Sequence, residues 1–436
     1  MVPQLTGGAP RVGPVVEPGA VRRPVGNARR SFTMSDPLAG MYHCVVTHGG
    51  EGAPEAAPRP LRVLLVIKCL GVGGAERLLV DTVTNGDPEA CSYEVAYVLD
   101  AEHALAAELA GAGIPVTSLG ARSNADLRWM WRLRALVEAG DFDVVHFHLP
   151  YTAALGRLVV ATIRGTRRTR RPAIVYTEHS LWNRMAVAIK GLNRATIGLD
   201  QALIVVSDAA RDALPPTLRG RARVIVHGVD LAKAAQFTDQ RDQVRSEVRA
   251  ELGVPDGSLL VTTVANLRPE KGYDVLLDTV RRVADEGLDV RFVAVGRGPL
   301  EAEIHARHRE LGLGDHLQLL GERDDVLRLL AGSDVFLLAS WQEGLPVSLM
   351  EATSMGMPII ATAVGGVPQI ITDGVDGLIV PPGEPDLLAG AVRRLASDPE
   401  LRARLGTGAK ERSAMFNVAL ASREIEDIYR TVVVSH

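Results

Sequence analysis

From Leu61 onward the chain alternates between short, continuously apolar runs and longer segments whose apolar positions recur at three- and four-residue spacing. LRVLLVI comes first, then a glycine-rich turn, then AERLLVDTVT with helical periodicity, then YEVAYVL. The runs VTSLG, DVVHFH, AIVYTEH, ALIVVS and RVIVHGV follow. Apolar runs without polar alternation suit strands buried on both faces, the pattern of a parallel sheet covered by helices on either side. A polar stretch from Leu231 to about Asp256 interrupts the rhythm and predicts a linker leading into the first helix of a second unit. The alternation restarts with LLVTTVANL, VRFVAVG, LQLLG, VFLLAS, PIIATAV and GLIVPP, and from Glu384 the pattern is almost wholly helical.

Two such series of similar length predict an α/β protein with two Rossmann-like domains facing across a cleft. The expected boundaries are 61–232 for the first domain and 233–415 for the second, with a last helix in 416–436 packing back on the first. Residues 1–60 are rich in Gly, Pro and Ala without sustained periodicity and predict a disordered tail. A length of 436 residues exceeds what one compact core accommodates, which agrees with more than one domain. The formal net charge of -4 argues against a general nucleic-acid binder. Three cysteines, none in a CxxC pair, suit a reducing cytoplasm. No apolar run reaches the roughly 18 residues of a membrane-spanning helix.

In open parallel sheets, ligands bind beyond the carboxyl ends of the strands, and the unusual residues of this chain collect there. Gly71, Gly73 and Gly74 follow the first run; His146 and His148 end DVVHFH; Glu178 and His179 end AIVYT. Arg268 and Lys271 follow VTTVANL, Gly296 and Gly298 follow FVAV, and Glu343 follows VFLLAS. In SWQEGLPVSLMEA, Glu343 and Glu351 are separated by seven residues. A helix starting near Pro346 places Glu343 in the loop before it and Glu351 in its second turn, with the helix start offering N–H groups to an anion. Arg268 and Lys271 share one short turn at a helix start, where the helix dipole repels cations unless an anion is present. A diphosphate is such an anion, with arginine as the fork and lysine as the point charge.

These motifs resemble the large family 4 (group 1) of retaining glycosyltransferases of GT-B fold. The resemblance runs from about Leu61 to about Leu395 and includes GGAER, DVVHFH, VIVHGVD, the R-x-x-K-G turn, VGRGP, the E-x7-E stretch and AVGGVPQIITDGVDGLIVPPG. His227 stands where the family usually has asparagine, and Gln369 where glutamate is common. The resemblance implies transfer of a hexose-type sugar from a nucleotide-diphosphate sugar, UDP or GDP type, to a sugar, glycan, lipid or small-molecule acceptor. It implies no cofactor and no metal. Arg268 and Lys271 would hold the diphosphate and Glu343 the hydroxyls of the transferred sugar. Glu351 would hold the ribose, Gly344 and Leu345 would lie along sugar and phosphate, and Gly298 would adjoin the donor. Gly74 would permit close approach of the first-domain loop, and His148 would lie beside the reacting sugar. Gly73, Glu178 and His179 are candidates for the acceptor side.

Three other features bear on function. Asp141 and Asp143 form a D-x-D, but they precede the strand DVVHFH and so belong to the wrong sheet edge for a metal-bound donor. RGTRRTRR, residues 164–171, with the amphipathic stretch LWNRMAVAIKGLNRATIG, suits peripheral docking on the anionic inner face of a membrane or simply a solvated loop. The G-x-G-G-A-E turn after the first run suggests a dinucleotide oxidoreductase, except that Glu76 replaces the third glycine of that fingerprint. A nucleotide-sugar epimerase and a non-catalytic sugar-nucleotide-binding protein are the further alternatives; the intact Arg268, Lys271, Glu343 and Glu351 set argues against the latter.

Overall fold

The computed structural model describes residues 59–100, 103–163 and 171–436. The tail reading for 1–60 and most of the basic run 164–171 therefore lie outside the described residues. The thirteen apolar runs are thirteen strands, all paired in parallel. β1 (Leu61–Ile67), β2 (Cys91–Leu99), β3 (Val116–Ala121), β4 (Val144–His148), β5 (Ala173–Glu178), β6 (Ala202–Val205) and β7 (Ala222–Val224) form one sheet in the order β3-β2-β1-β4-β5-β6-β7. β8 (Leu259–Val264), β9 (Val290–Val295), β10 (Leu317–Gly321), β11 (Val335–Leu338), β12 (Ile359–Thr362) and β13 (Gly377–Val380) form the second, ordered β10-β9-β8-β11-β12-β13. In each sheet the strand order reverses beside the first strand, β1 or β8, which is where a doubly wound sheet opens a crevice.

Burial explains the unalternated runs. Leu64 and Val66 of β1 face one hydrophobic cluster while Val63, Leu65 and Ile67 face another, and all five are fully buried. The second cluster is closed by the last helix, Val418–Ser435, through Ala421, Ile425, Ile428, Tyr429 and Val432. This helix also bonds the first domain through polar groups: Tyr93 Oη and the Asp87 amide both donate to Glu426.

Two segments differ from the expectation. The polar stretch 231–256 is two helices, Leu231–Thr238 and Arg241–Leu252, because Asp239 and Gln240 break the periodicity. RVIVHGV is a strand only to Val224; beyond it the Val229 amide donates to the Phe416 carbonyl and the Val418 amide to the Val229 carbonyl, so the segment leaves the sheet to join the base of the last helix. No described helix is long and apolar enough to cross a membrane.

Candidate functional site

The two motifs of the second domain meet in one place. The turn after β8 and the segment after β11 are stitched by the Trp341 and Gln342 amides, which donate to the Glu270 carbonyl at 2.9 and 3.2 Å. Lys271 Nζ lies 2.8 and 2.7 Å from the two oxygens of Glu343, and Ser340 Oγ donates to Oε1 at 2.6 Å. Glu343 is nearly buried, with 5% of its side chain exposed, against 22% for Lys271. An ion pair held this way is oriented before any ligand arrives. Arg268 is exposed and its guanidinium pairs with no acid among the described residues. An arginine fork with no carboxylate partner, in the same turn as that lysine, is available to an anion. The helix Val347–Ser354 starts a few residues beyond Glu343, with Pro346 as its N-cap residue, so its first-turn N–H groups lack intrahelical partners.

Glu351 is half-buried on that helix, and no hydrogen-bond partner holds its carboxylate among the described residues. Burial, and then the charge of Asp81 from the first domain, raise its pKa to about 7, with Arg77 opposing. Asp81 is itself raised to about 6 by burial, against the pull of Arg77 and Lys233. The first-domain helix Gly74–Thr84 thus lends an acid and a base to the surroundings of Glu351. Gly74, at its start, faces Val347, and an added methyl would lie 3.6 Å from Val347 Cγ2. Gly73 precedes it as N-cap and adjoins Glu76.

Opposite lies an array of four imidazoles, three buried and His179 partly so, from the ends of β4 and β5 and the segment after β7. Ring centroids of His146 and His148 are 4.3 Å apart, His148 and His179 5.2 Å, His179 and His227 5.8 Å. His146 is anchored on both nitrogens, by Tyr429 Oη at 2.6 Å and Thr177 Oγ1 at 2.8 Å. His148 Nδ1 and His179 Nε2 share a hydrogen bond of 2.9 Å, leaving His148 Nε2 and His179 Nδ1 without partners. His227 Nδ1 meets the Ile225 carbonyl, so it carries the proton and Nε2 is a bare acceptor. Burial, then neighbouring imidazoles, hold His146, His148 and His179 well below the usual histidine range, and burial takes His227 down to about 4. The array is therefore neutral at pH 7. Among the described residues no group of three or more His, Cys, Asp or Glu is arranged to hold a metal ion.

Gly344 joins the two halves. A Cβ there would stand 2.3 Å from the His179 carbonyl oxygen, so only glycine permits this approach. Ser207 Oγ, at the end of β6, donates to the Gly344 carbonyl at 3.1 Å. Leu345 is buried beside it. Gly298, after β9, packs on the turn that leads to Arg268: a Cβ would lie 2.5 Å from the Leu267 carbonyl oxygen. Its place is that of a spacer supporting the Arg268 turn.

Glu178 has a different job from the acceptor contact expected of it. Its carboxyl is fully buried, and its oxygens accept from Tyr176 Oη at 2.7 Å, the Ser180 amide at 3.0 Å and Ser180 Oγ at 2.7 Å. Burial raises its pKa despite these donors. With no exposed surface and both oxygens already accepting within the first domain, the carboxyl holds the turn at Ser180. The D-x-D carboxylates stand at the amino end of β4: Asp143 accepts from the Arg62 amide and pairs with Arg59, both at 2.8 Å, and Asp141 caps the preceding helix in a left-handed conformation. Asp81, His227 and Tyr429 belong to the site's surroundings and were not singled out for it from sequence. Of these Tyr429 carried a signal in the apolar periodicity of the last helix, and His227 in standing where the resembling family usually has asparagine.

Known proteins match both halves. Residues 72–233 match the family described as Glycosyltransferase Family 4, and residues 244–412 the one described as Glycosyl transferases group 1. The alpha-D-kanosaminyltransferase of Streptomyces kanamyceticus is 27% identical over 334 residues, covering 72% of this chain and 84% of that protein. The D-inositol 3-phosphate glycosyltransferase of Corynebacterium diphtheriae is 30% identical over 320 residues, covering 66% of this chain and 70% of that one. The solved structure of Anabaena HepE in complex with UDP-glucose shares the fold, with a TM-score of 0.72 at 21% identity, over 85% of this chain and 100% of that one.

Proposed function

Given that the chain belongs to the group 1, family 4 glycosyltransferases of GT-B fold, we propose that it moves a hexose-type sugar from a UDP or GDP sugar to a hydroxyl acceptor. In this reading the anomeric configuration is retained and no metal takes part. The observation that carries the reading is the unpaired Arg268 beside the Lys271–Glu343 pair at a helix start. As the bond from the anomeric carbon to the diphosphate oxygen breaks, negative charge grows on the leaving group. Arg268 and Lys271 stabilise that charge more in the transition state than in the ground state. The acceptor oxygen bonds to the anomeric carbon on the same face, and its proton passes to the departing phosphate. Glu343 and Gly344–Leu345 orient the sugar, Glu351 the ribose, and the His148 edge faces the reacting sugar.

The cations do the work a metal would do, and the D-x-D pair lies at the opposite sheet edge. Turnover is therefore expected to be unchanged in excess chelator; loss of activity restored by manganese would refute this part. We place the enzyme in the cytoplasm, in keeping with a sequence of three cysteines and no CxxC pair. Peripheral contact with anionic lipid is proposed through the helix Val187–Thr196, where Val187 is 88% exposed and Lys190 lies on the same short helix. Sedimentation with anionic but not neutral liposomes at low salt is the expected result.

Glu351 yields a pH prediction. An acid whose folded pKa is raised to about 7 favours the protonated folded state. Ionised Glu351 therefore costs stability above pH 7, and that cost disappears as pH falls toward the unfolded value. Glu351→Gln should raise Tm at pH 8 by roughly a degree or two and much less at pH 5. The same substitution should weaken nucleotide binding, and wild-type binding should weaken as pH drops below 7. A Tm difference independent of pH would count against the assignment. The function as a whole is tested by a thermal-shift panel of nucleotide sugars with product analysis on those that stabilise. Stabilisation by UDP or GDP sugars is expected; stabilisation by none of them would remove the proposal.

A further inference from the structure

Gln369 makes a two-point contact with Asp208 of the first domain. The Asp208 amide donates to Gln369 Oε1 at 2.9 Å, and Gln369 Nε2 donates to Asp208 Oδ2. The backbone N–H can only donate, so it fixes which end of the side-chain amide faces it and turns the NH2 toward the carboxylate. Each side of the contact is built into its own domain. Arg412 Nη2 and Nε donate to the carbonyls of Gln369 and Ile370 at 2.8 and 2.9 Å, and Asp208 opens the helix Asp208–Ala213 with Arg211 2.7 Å from Oδ1. The neighbouring Ser207 bonds the Gly344 carbonyl, which also accepts from the Gly366 amide at 3.0 Å. The contact therefore lies beside the strap that brings Gly344 against His179.

We infer that Gln369 and Asp208 form an interdomain clasp that positions the Glu343–Leu345 loop over the first domain and so favours the closed cleft. The pairing depends on an amide. A carboxylate at 369 still accepts the Asp208 N–H, but its second oxygen confronts the Asp208 carboxylate. Like charges set opposite one another push the domains apart. Because the Asp208 side chain is 49% exposed, that repulsion is screened by salt.

The inference rests on the nucleotide-sugar reading only for its kinetic readout; the scattering readout stands without it. The variants are Gln369→Glu, Asp208→Asn and the two combined. The double variant restores the pairing with donor and acceptor exchanged. Small-angle scattering of the ligand-free protein should show Gln369→Glu with a larger radius of gyration than wild type, and the double variant near wild type. The donor KM of Gln369→Glu should rise about tenfold, with most of the defect recovered in about 0.5 M salt. Asp208→Asn should stay within about twofold of wild type, since its carbonyl still accepts the Gln369 NH2. Melting temperatures of all variants should stay close together, because the contact belongs to neither domain core. The clasp is overturned if Gln369→Glu matches wild type in scattering, if Asp208→Asn fails to rescue it, or if salt leaves its defect unchanged. A normal scattering series with no variant or wild type binding UDP or GDP sugars would sink the functional proposal and leave the clasp standing.

Discussion

Replacing Lys271 with alanine is expected to lower kcat by roughly 10²–10³-fold while the chain stays folded. The ammonium lies 2.7–2.8 Å from both oxygens of Glu343 and only 22% of its side chain is exposed, so its position is set before substrate binds. A preorganised charge needs no reorganisation when the leaving diphosphate develops its own, which is why its loss appears in turnover more than in affinity. The fold should survive, because Lys271 belongs to a one-turn 3-10 segment, Pro269–Lys271, outside both hydrophobic clusters. A modest drop in Tm is expected, since Glu343 keeps Ser340 but loses its cation. Product formation measured beside a melting curve decides it: near-wild-type transfer would remove Lys271 from the mechanism, and an unfolded variant would remove it from the loop's periphery.

Gly344→Ala should be nearly as damaging for a different reason. The added methyl would stand 2.3 Å from the His179 carbonyl oxygen, which is backbone and has no rotamer to give. The contact is relieved by opening the cleft, not by repacking either core. A displacement of about 1 Å at the reacting groups costs on the order of 10²-fold in rate. Gly344→Ala is therefore expected to lose about that much in kcat/KM while melting within roughly two degrees of wild type. Full activity would show that the domains need not approach this closely during turnover.

Much of this architecture was legible in the order of residues because the relevant physics is local. Unalternated runs such as LRVLLVI and VFLLAS announce strands buried on both faces, and the position of Asp143 before β4 rather than after it assigns the D-x-D to the wrong edge. Arg268 with Lys271, and Glu343 with Glu351, lie within single turns or helix starts, so spacing alone groups them. What stayed hidden depends on pairings across the chain. Tyr429 reaches His146 over 283 positions, and Gln369 reaches Asp208 over 161. Glu178 looked available at a strand end, but Tyr176 and Ser180, its close neighbours, take up its carboxylate. Glu351 appeared as a ribose ligand only; its raised pKa comes from burial and then from Asp81 on a helix of the other domain. The stretch 231–256 read as a linker leading into one helix because charge dominates it; its first part is a helix too, Leu231–Thr238, ahead of the break at Asp239–Gln240.

The most direct measurement is a crystal structure of the enzyme with the nucleoside diphosphate that gives the largest thermal shift. The diphosphate should lie within hydrogen-bond distance of Arg268 and Lys271, with the ribose hydroxyls on Glu351 and the β-phosphate pointing toward Glu343 and Gly344. A nucleotide bound elsewhere, with the Arg268 guanidinium still turned to solvent and Lys271 held by Glu343 alone, would contradict the assignment of this cleft.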